Sequence, residues 1–364
     1  MRKAFSSVWT WVYASLLVVV VFRLAAPAAV LESFYGEKAY AVVSTLLAEL
    51  FGWWPTSPAL LGLVLVIGYA IYLFTVLALR RTRSTATAVV SALVRLATGL
   101  ALAFLLFWGI NYGRPTIPER LGVASAGPRQ LLPTDTLIAE YRRAAAAVNA
   151  LREVVAPGRS VTVPLSASEA TTLGALLQSV LSDIGFPTVP LRRLRVLPKG
   201  ALLRFGTAGV YSPWTGDPHI DGALHPLQQV FTATHEMAHQ QGVTDEGDCN
   251  LLAYLAGVRS PDIRIRYSAE LTYLRYLRAA ISKRDRETFE GLSPKLAPRV
   301  LLDLREVRAA QDAYPEIAPA ARDLIYDSYL KTQGVSEGLS SYGRIIDHVV
   351  AARTLRPELF AEGR

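Results

Sequence analysis

Residues 224–242 read LHPLQQVFTATHEMAHQQG, and within them HEMAH sets two histidines one helical turn apart, with a glutamate directly after the first. An α-helix repeats every ~3.6 residues, so His235 and His239 leave the same face. Two imidazoles placed this way can share one Zn2+, with Glu236 beside it as general base toward a zinc-activated water. Leu224, Leu227, Val230, Phe231 and Ala238 recur at helical spacing and Gly242 is a natural stop, so the spacing predicts a buried helix through the motif. A surface helix with solvated histidines would leave that apolar run unexplained. These residues point to a zinc-dependent hydrolase, most readily a peptidase.

The first third of the chain is different material. Residues 8–26, 57–79 and 87–110 are apolar runs, charged inside only at Arg23 and Arg95. Each can cross a hydrocarbon core of ~30 Å, which needs ~20 helical residues. Trp9, Trp11, Trp53, Trp54 and Trp108 lie near their ends, where amphipathic rings favour the interface. Residues 40–54 are short and carry Glu49, which suits an interfacial amphipathic helix better than a fourth span. MRK before the first run and AAPAA after it also fit a signal peptide, although retention as an anchor is the preferred reading. Arg2 and Lys3, then Arg80, Arg81 and Arg83, mark cytoplasmic segments, whereas the 27–56 loop holds Glu32, Glu37 and Glu49 against Lys38 alone. Three spans then carry everything after residue 111 outward. The expectation is a multi-pass protein of the cytoplasmic membrane with an extracytoplasmic catalytic domain.

The formal net charge of +8 comes from dispersed basic residues with no nucleic-acid-binding motif, so the expected partners are the lipid bilayer and a peptide or protein substrate, not nucleic acid. The lone Cys249 rules out an intramolecular disulfide. The fold expected is α-rich α+β, with N-terminal transmembrane helices followed by a zincin-like metallopeptidase domain bearing a small β element. In residue terms this is a membrane anchor over 1–112, a Pro- and Gly-rich linker over 113–134 and the zinc domain over 135–364. Helices are expected at 136–155, from a Ser166/Glu169 capping box to Ile184, at 245–256 after a Thr244 cap, from Ser260-Pro261 to about 283, and at 295–313, 317–333 and 337–353. A short strand is expected at Val161–Leu165, the most strand-like region is 190–213, and Pro213, Gly216, Asp217 and Pro218 are read as turn signals.

A catalytic zinc takes three protein ligands and keeps one position open. Two neighbours compete for the third place. Asp245 completes an HExxHxxGxxD pattern of metzincin type, but such enzymes also use a downstream methionine turn, and Met1 and Met237 are the only methionines. Glu246 would open the next helix, with Asn250 one turn on and able to support a ligand histidine. EGDCN at 246–250 resembles the ExxAD or ExxAN element of membrane zinc endopeptidases of the CAAX-prenyl type, with Cys249 in place of alanine. Glu246 is the preferred ligand and Asp245 the alternative, whose other role would be at the N-terminus of that helix.

The resemblance extends along the chain. WGINYGR at 108–114, GVYSPWTGDPHID at 209–221, THEMAHQQG at 234–242 and YLKTQGVSEGLSSYGRIID at 329–347 resemble, in order, a family of uncharacterised bacterial membrane proteins with a predicted zinc-peptidase domain of gluzincin type. Family members tend to have GEAN at 216–219 and EDEAN at 246–250; this chain departs from both and keeps HExxH. The family-like segment makes Tyr342 the first choice to stabilise the oxyanion, ahead of Tyr267, His219 and His225, and His348 is read as structural. Gly209, Val210 and Tyr211 form a candidate edge strand for an extended peptide, and Trp214 a candidate cleft wall. Two other readings stay open: an amidase acting on cell-wall peptides, and a non-catalytic zinc-stabilised scaffold, which would have no use for Glu236.

Overall fold

A computed structural model describes residues 2–122, 132–158, 160–292, 295–335 and 338–361. Residues 123–131 of the expected linker lie outside the described residues. By contacts the chain divides into two units, Met1–Arg114 with Ser212–Asp217, and Pro115–Tyr211 with Pro218–Arg364.

The first unit contains α1 (Arg2–Ala25), α2 (Ala28–Leu31), α3 (Tyr40–Phe51), α4 (Pro58–Arg80) and α5 (Arg83–Phe107). Three of its helices are long and apolar enough to cross a membrane, over Val8–Ala25, Pro58–Arg80 and Arg83–Phe107. The third starts earlier than its apolar run because the Thr82 side chain caps it by accepting from Thr85 N–H. It also stops earlier, passing into a 3-10 turn at Gly109–Gly113. Arg95 lies over the Trp9 ring, its guanidinium carbon 5.7 Å from the ring centroid, which gives the charge inside that helix a partner. A π-helical segment, Glu32–Ala39, precedes α3. In it Glu32 forms a buried bidentate pair with Arg114, at 2.7 and 3.1 Å, and Asn111 Oδ1 accepts from the same guanidinium.

Among its described residues, the second unit has helices and three short strands as its regular elements. Its elements are α6 (Ile117–Arg120), α7 (Thr134–Val155), α8 (Ala167–Asp183), β1 (Arg195–Leu197), β2 (Gly209–Tyr211), β3 (Pro218–Asp221), α9 (Pro226–Gln240), α10 (Glu246–Val258), α11 (Ile263–Arg284), α12 (Arg286–Leu292), α13 (Pro298–Asp312), α14 (Pro319–Thr332) and α15 (Ile345–Leu355). The Ser166/Glu169 capping box opens α8 as its spacing predicts, and Gly185 takes a positive φ just beyond it. The core joins α7, α8, α9, α10 and α11, with Val148, Leu181, Leu227, Leu255, Tyr267 and Leu274 fully buried in it. Burying one such aliphatic side chain stabilises by about 1.5–3 kcal/mol. Helix α9 is buried all round from Leu227 to Gln240, and α10 from Glu246 to Gly257, so the motif helix is a core element.

The sheet has the order β1-β3-β2, with β1 parallel to β3 and β2 antiparallel to it. Two local expectations are corrected. Val161–Leu165 joins no ladder; the Leu165 N–H donates instead to the Gln229 side chain. Pro218 does not turn the chain but begins the central strand, the first strand position being one that tolerates a missing N–H. A smaller shift concerns α10, which is capped by Asp245 rather than Thr244. The expected helix at 337–353 begins as a 3-10 segment, Gly338–Arg344, before α15.

Candidate metal centre

Helix α9 starts with Pro226 in its first turn, where a missing N–H costs nothing, and with His225 Nδ1 accepting from Leu227 N–H. It ends where Gly242 adopts φ +92°, turning the chain so that α10 returns toward the motif. The His235 and His239 rings lie 4.8 Å apart, centroid to centroid. The Nδ1 atom of His235 meets Asn250 Oδ1 at 2.9 Å and that of His239 meets the Val243 carbonyl at 2.8 Å. Both partners only accept, and Asn250 Nδ2 donates to the Tyr342 carbonyl, which orients the amide. Each Nδ1 therefore carries the proton and each Nε2 presents a lone pair.

Both Nε2 atoms point at one oxygen. Glu246 Oε2 lies 3.0 Å from His235 Nε2 and 3.4 Å from His239 Nε2. Three electron-pair donors converge in a place 4–7% exposed, an arrangement that can hold a cation. The electrostatics agree. Burial opposes a charge on His239, yet the Glu246 carboxylate beside its Nε2 holds its affinity for a proton well above the ordinary imidazole value. Burial likewise opposes the Glu246 charge, but the two histidines outweigh it and hold the carboxyl far below the usual carboxylate range. A positive charge is favoured at this spot.

His235, His239 and Cys249 also form a buried group able to hold a metal ion, with one ligand atom from each all within 4.8 Å of one another. The Cys249 sulfur, however, lies 3.3 Å from the protonated Nδ1 of His239, not from its Nε2, and 3.6 Å from the Val243 carbonyl. Burial pushes its thiol up to about 12, and its sulfur sits beside the ring nitrogen already committed to Val243. Glu246 is the donor on the Nε2 side.

Glu236, next along α9, projects toward β2, where the Tyr211 N–H donates to its carboxylate. Burial pushes its carboxyl up to about 7 despite the nearby histidines. Asp245 does not join the cluster. Its Oδ1 accepts from Gly247 and Asp248 N–H, capping α10, and its Oδ2 pairs with Arg344 at 3.2 Å.

The other candidates divide. The Tyr342 ring lies parallel to His235, 9° between planes at 6.2 Å. Gly209, Val210 and Tyr211 make up β2, an edge strand of the sheet, with Val210 exposed. Trp214 belongs to the first unit, where its indole donates to the Leu100 carbonyl and meets the Phe104 ring. The Tyr267 hydroxyl donates to Asp303, itself paired with Arg152. His219 Nδ1 meets the Val210 carbonyl and His348 Nδ1 lies 3.3 Å from Asp248. One residue with no signal in the sequence is here: Tyr326, on α14, donates to Glu246 Oε1 at 2.7 Å and lies 3.1 Å from the Tyr342 hydroxyl. It sits 80 residues from the glutamate it touches, in no spacing pattern.

A family model described as a protein of unknown function, DUF3810, matches residues 35–350. No curated protein and no solved structure matches the chain. The chain belongs to the DUF3810 family.

Proposed function

We propose that this DUF3810 member is a membrane-anchored, zinc-dependent metalloendopeptidase of gluzincin-like, zincin-type construction. The observation that carries this reading is the convergence of His235 Nε2, His239 Nε2 and Glu246 Oε2 while both Nδ1 protons are committed elsewhere. These three residues would hold the ion. Bound there, zinc supplies a Lewis acid that polarises an amide carbonyl and acidifies water. Glu236 is a separate carboxylate with a carboxyl near 7, suited to take a proton from the attacking water and return it to the leaving nitrogen. Asn250 and the Val243 carbonyl orient the histidines from behind. Beside Glu236, the edge strand β2 offers main-chain groups along which an extended peptide can add as a further strand. The charge pattern of the short loops favours the outer face of the cytoplasmic membrane for this unit.

The experiment is metal content and peptide hydrolysis by the full chain purified in detergent. About one zinc per chain, lost in Glu246→Ala and kept in Cys249→Ala, together with cleavage of a peptide library, is the expected result. A folded chain without zinc, or zinc without cleavage of any peptide or cell-wall amide, overturns it. A second reading, a structural metal in a scaffold, is favoured by one feature, the depth at which both histidines and both glutamates are buried. Zinc binding with no hydrolysis is its signature.

A further inference from the structure

Glu246 has two oxygens, and only Oε2 meets the histidines; Oε1 accepts from Tyr326. A phenol has one proton, and an ionised carboxylate can only accept, so the 2.7 Å bond is donated by Tyr326. The 3.1 Å contact between the hydroxyls of Tyr326 and Tyr342 must then be donated by Tyr342. Hydrogen-bond accounting leaves one direction for the chain.

We infer that Tyr326 is the positioning residue of the metal centre: its hydroxyl anchors Oε1 of Glu246, turns Oε2 toward His235 and His239, and accepts a hydrogen bond from the Tyr342 hydroxyl, giving a directed hydrogen-bond relay Tyr342→Tyr326→Glu246. This rests on the metal-site reading proposed above and extends it to α14, a helix that carries none of the HEMAH or EGDCN residues. A carboxylate pivots about its Cγ–Cδ bond, and a charge-assisted bond to one oxygen is what fixes which oxygen faces the ion. Two further contacts hold Tyr342 in line, its ring parallel to His235 and its carbonyl accepting from Asn250. The relay also redefines Tyr342. Its only proton is committed to Tyr326, so it can donate to a substrate oxyanion only by giving that bond up.

The test uses the full chain in detergent, with zinc affinity measured by competition against a chelating dye and thermal midpoints measured after metal removal. Tyr326→Phe is expected to weaken zinc binding by about 10–100-fold, the range typical for loss of a partner that orients a ligand. Tyr342→Phe keeps the ring and the carbonyl and should stay within a few-fold of wild type. In the metal-free protein, Tyr326→Phe leaves a buried carboxylate oxygen without its donor, so its midpoint should fall below that of Tyr342→Phe. Wild-type affinity in Tyr326→Phe, or equal losses in the two variants, overturns the inference. If the wild type binds no zinc, the metalloenzyme reading fails, and the order of the two metal-free midpoints alone decides the relay: equal midpoints reject it, the expected order sustains it.

Discussion

Gly209 packs so close to Glu236 that a Cβ on it would lie 2.6 Å from the carboxylate Oε1. Strand β2 therefore passes Glu236, the proposed general base, at a distance only glycine allows, and the Tyr211 N–H holds the same carboxylate. A methyl group at 209 must push Glu236 aside. Gly209→Ala is expected to cut hydrolysis by about 10²-fold or more, the low end of what a misplaced general base costs, with zinc content unchanged. Peptide turnover alongside elemental analysis checks this, and full activity would contradict it.

Glu236→Gln keeps the side-chain shape and removes the base. Hydrolysis should fall by about 10²–10⁴-fold while zinc binding and folding persist. Turnover at the wild-type rate would sink the assigned role of Glu236.

Asp245 and Glu246 are neighbours with separate tasks. Asp245→Ala removes the cap of α10 and the pair with Arg344, so it should lower stability by about 0.5–2 kcal/mol yet retain zinc. Denaturant unfolding and metal content, measured together, separate the two tasks. Loss of zinc in Asp245→Ala without loss in Glu246→Ala would reverse the assignment.

The carboxylate of Asp221, at the end of β3, accepts from the N–H groups of Gly200, Leu202, Leu203 and Ala223. Burial works against its charge, but these four donors outweigh it and hold the carboxyl below its ordinary value of 3.8. A depressed carboxyl contributes stability that is present above the unfolded value and lost as pH falls through the folded one. The wild type should thus lose this contribution only below about pH 4, whereas Asp221→Asn should be less stable at neutral pH and converge with wild type in acid. Thermal midpoints across pH 3–7 provide the comparison, and a constant difference over that range would refute it.

The proposed sidedness rests on loop charge. Protease added to intact spheroplasts should degrade the Pro115–Arg364 segment, while inside-out vesicles should protect it. The reverse pattern would place the metal centre in the cytoplasm.

Much of the site was legible because its signals are local. HExxH needs only the helical repeat, Gly242 only a tolerance for positive φ, and Ser166 with Glu169 only three-residue spacing. The apolar runs announce three long helices by length alone. Strands were legible less well: Pro218 looked like a turn and Val161–Leu165 like a strand, because a strand of three or four residues is defined by its ladder partner and not by its own composition. The contacts of Trp214 with Leu100 and Phe104, over a hundred residues away, carry no signal in the local sequence.

By itself, the sequence determined which side chains sit one helical turn apart, where helices start and stop, and which stretches are apolar throughout, since each depends on neighbours within a few residues. Only the tertiary structure decided that Asp245 caps a helix while Glu246 meets both histidines, that Gly209 is pressed against Glu236, and that Tyr326 reaches Glu246 from 80 residues away. Those relations arise where separate helices and an edge strand pack, and a hydrogen bond at 2.7 Å is set by where two backbones come to rest, which no short-range pattern in the chain encodes.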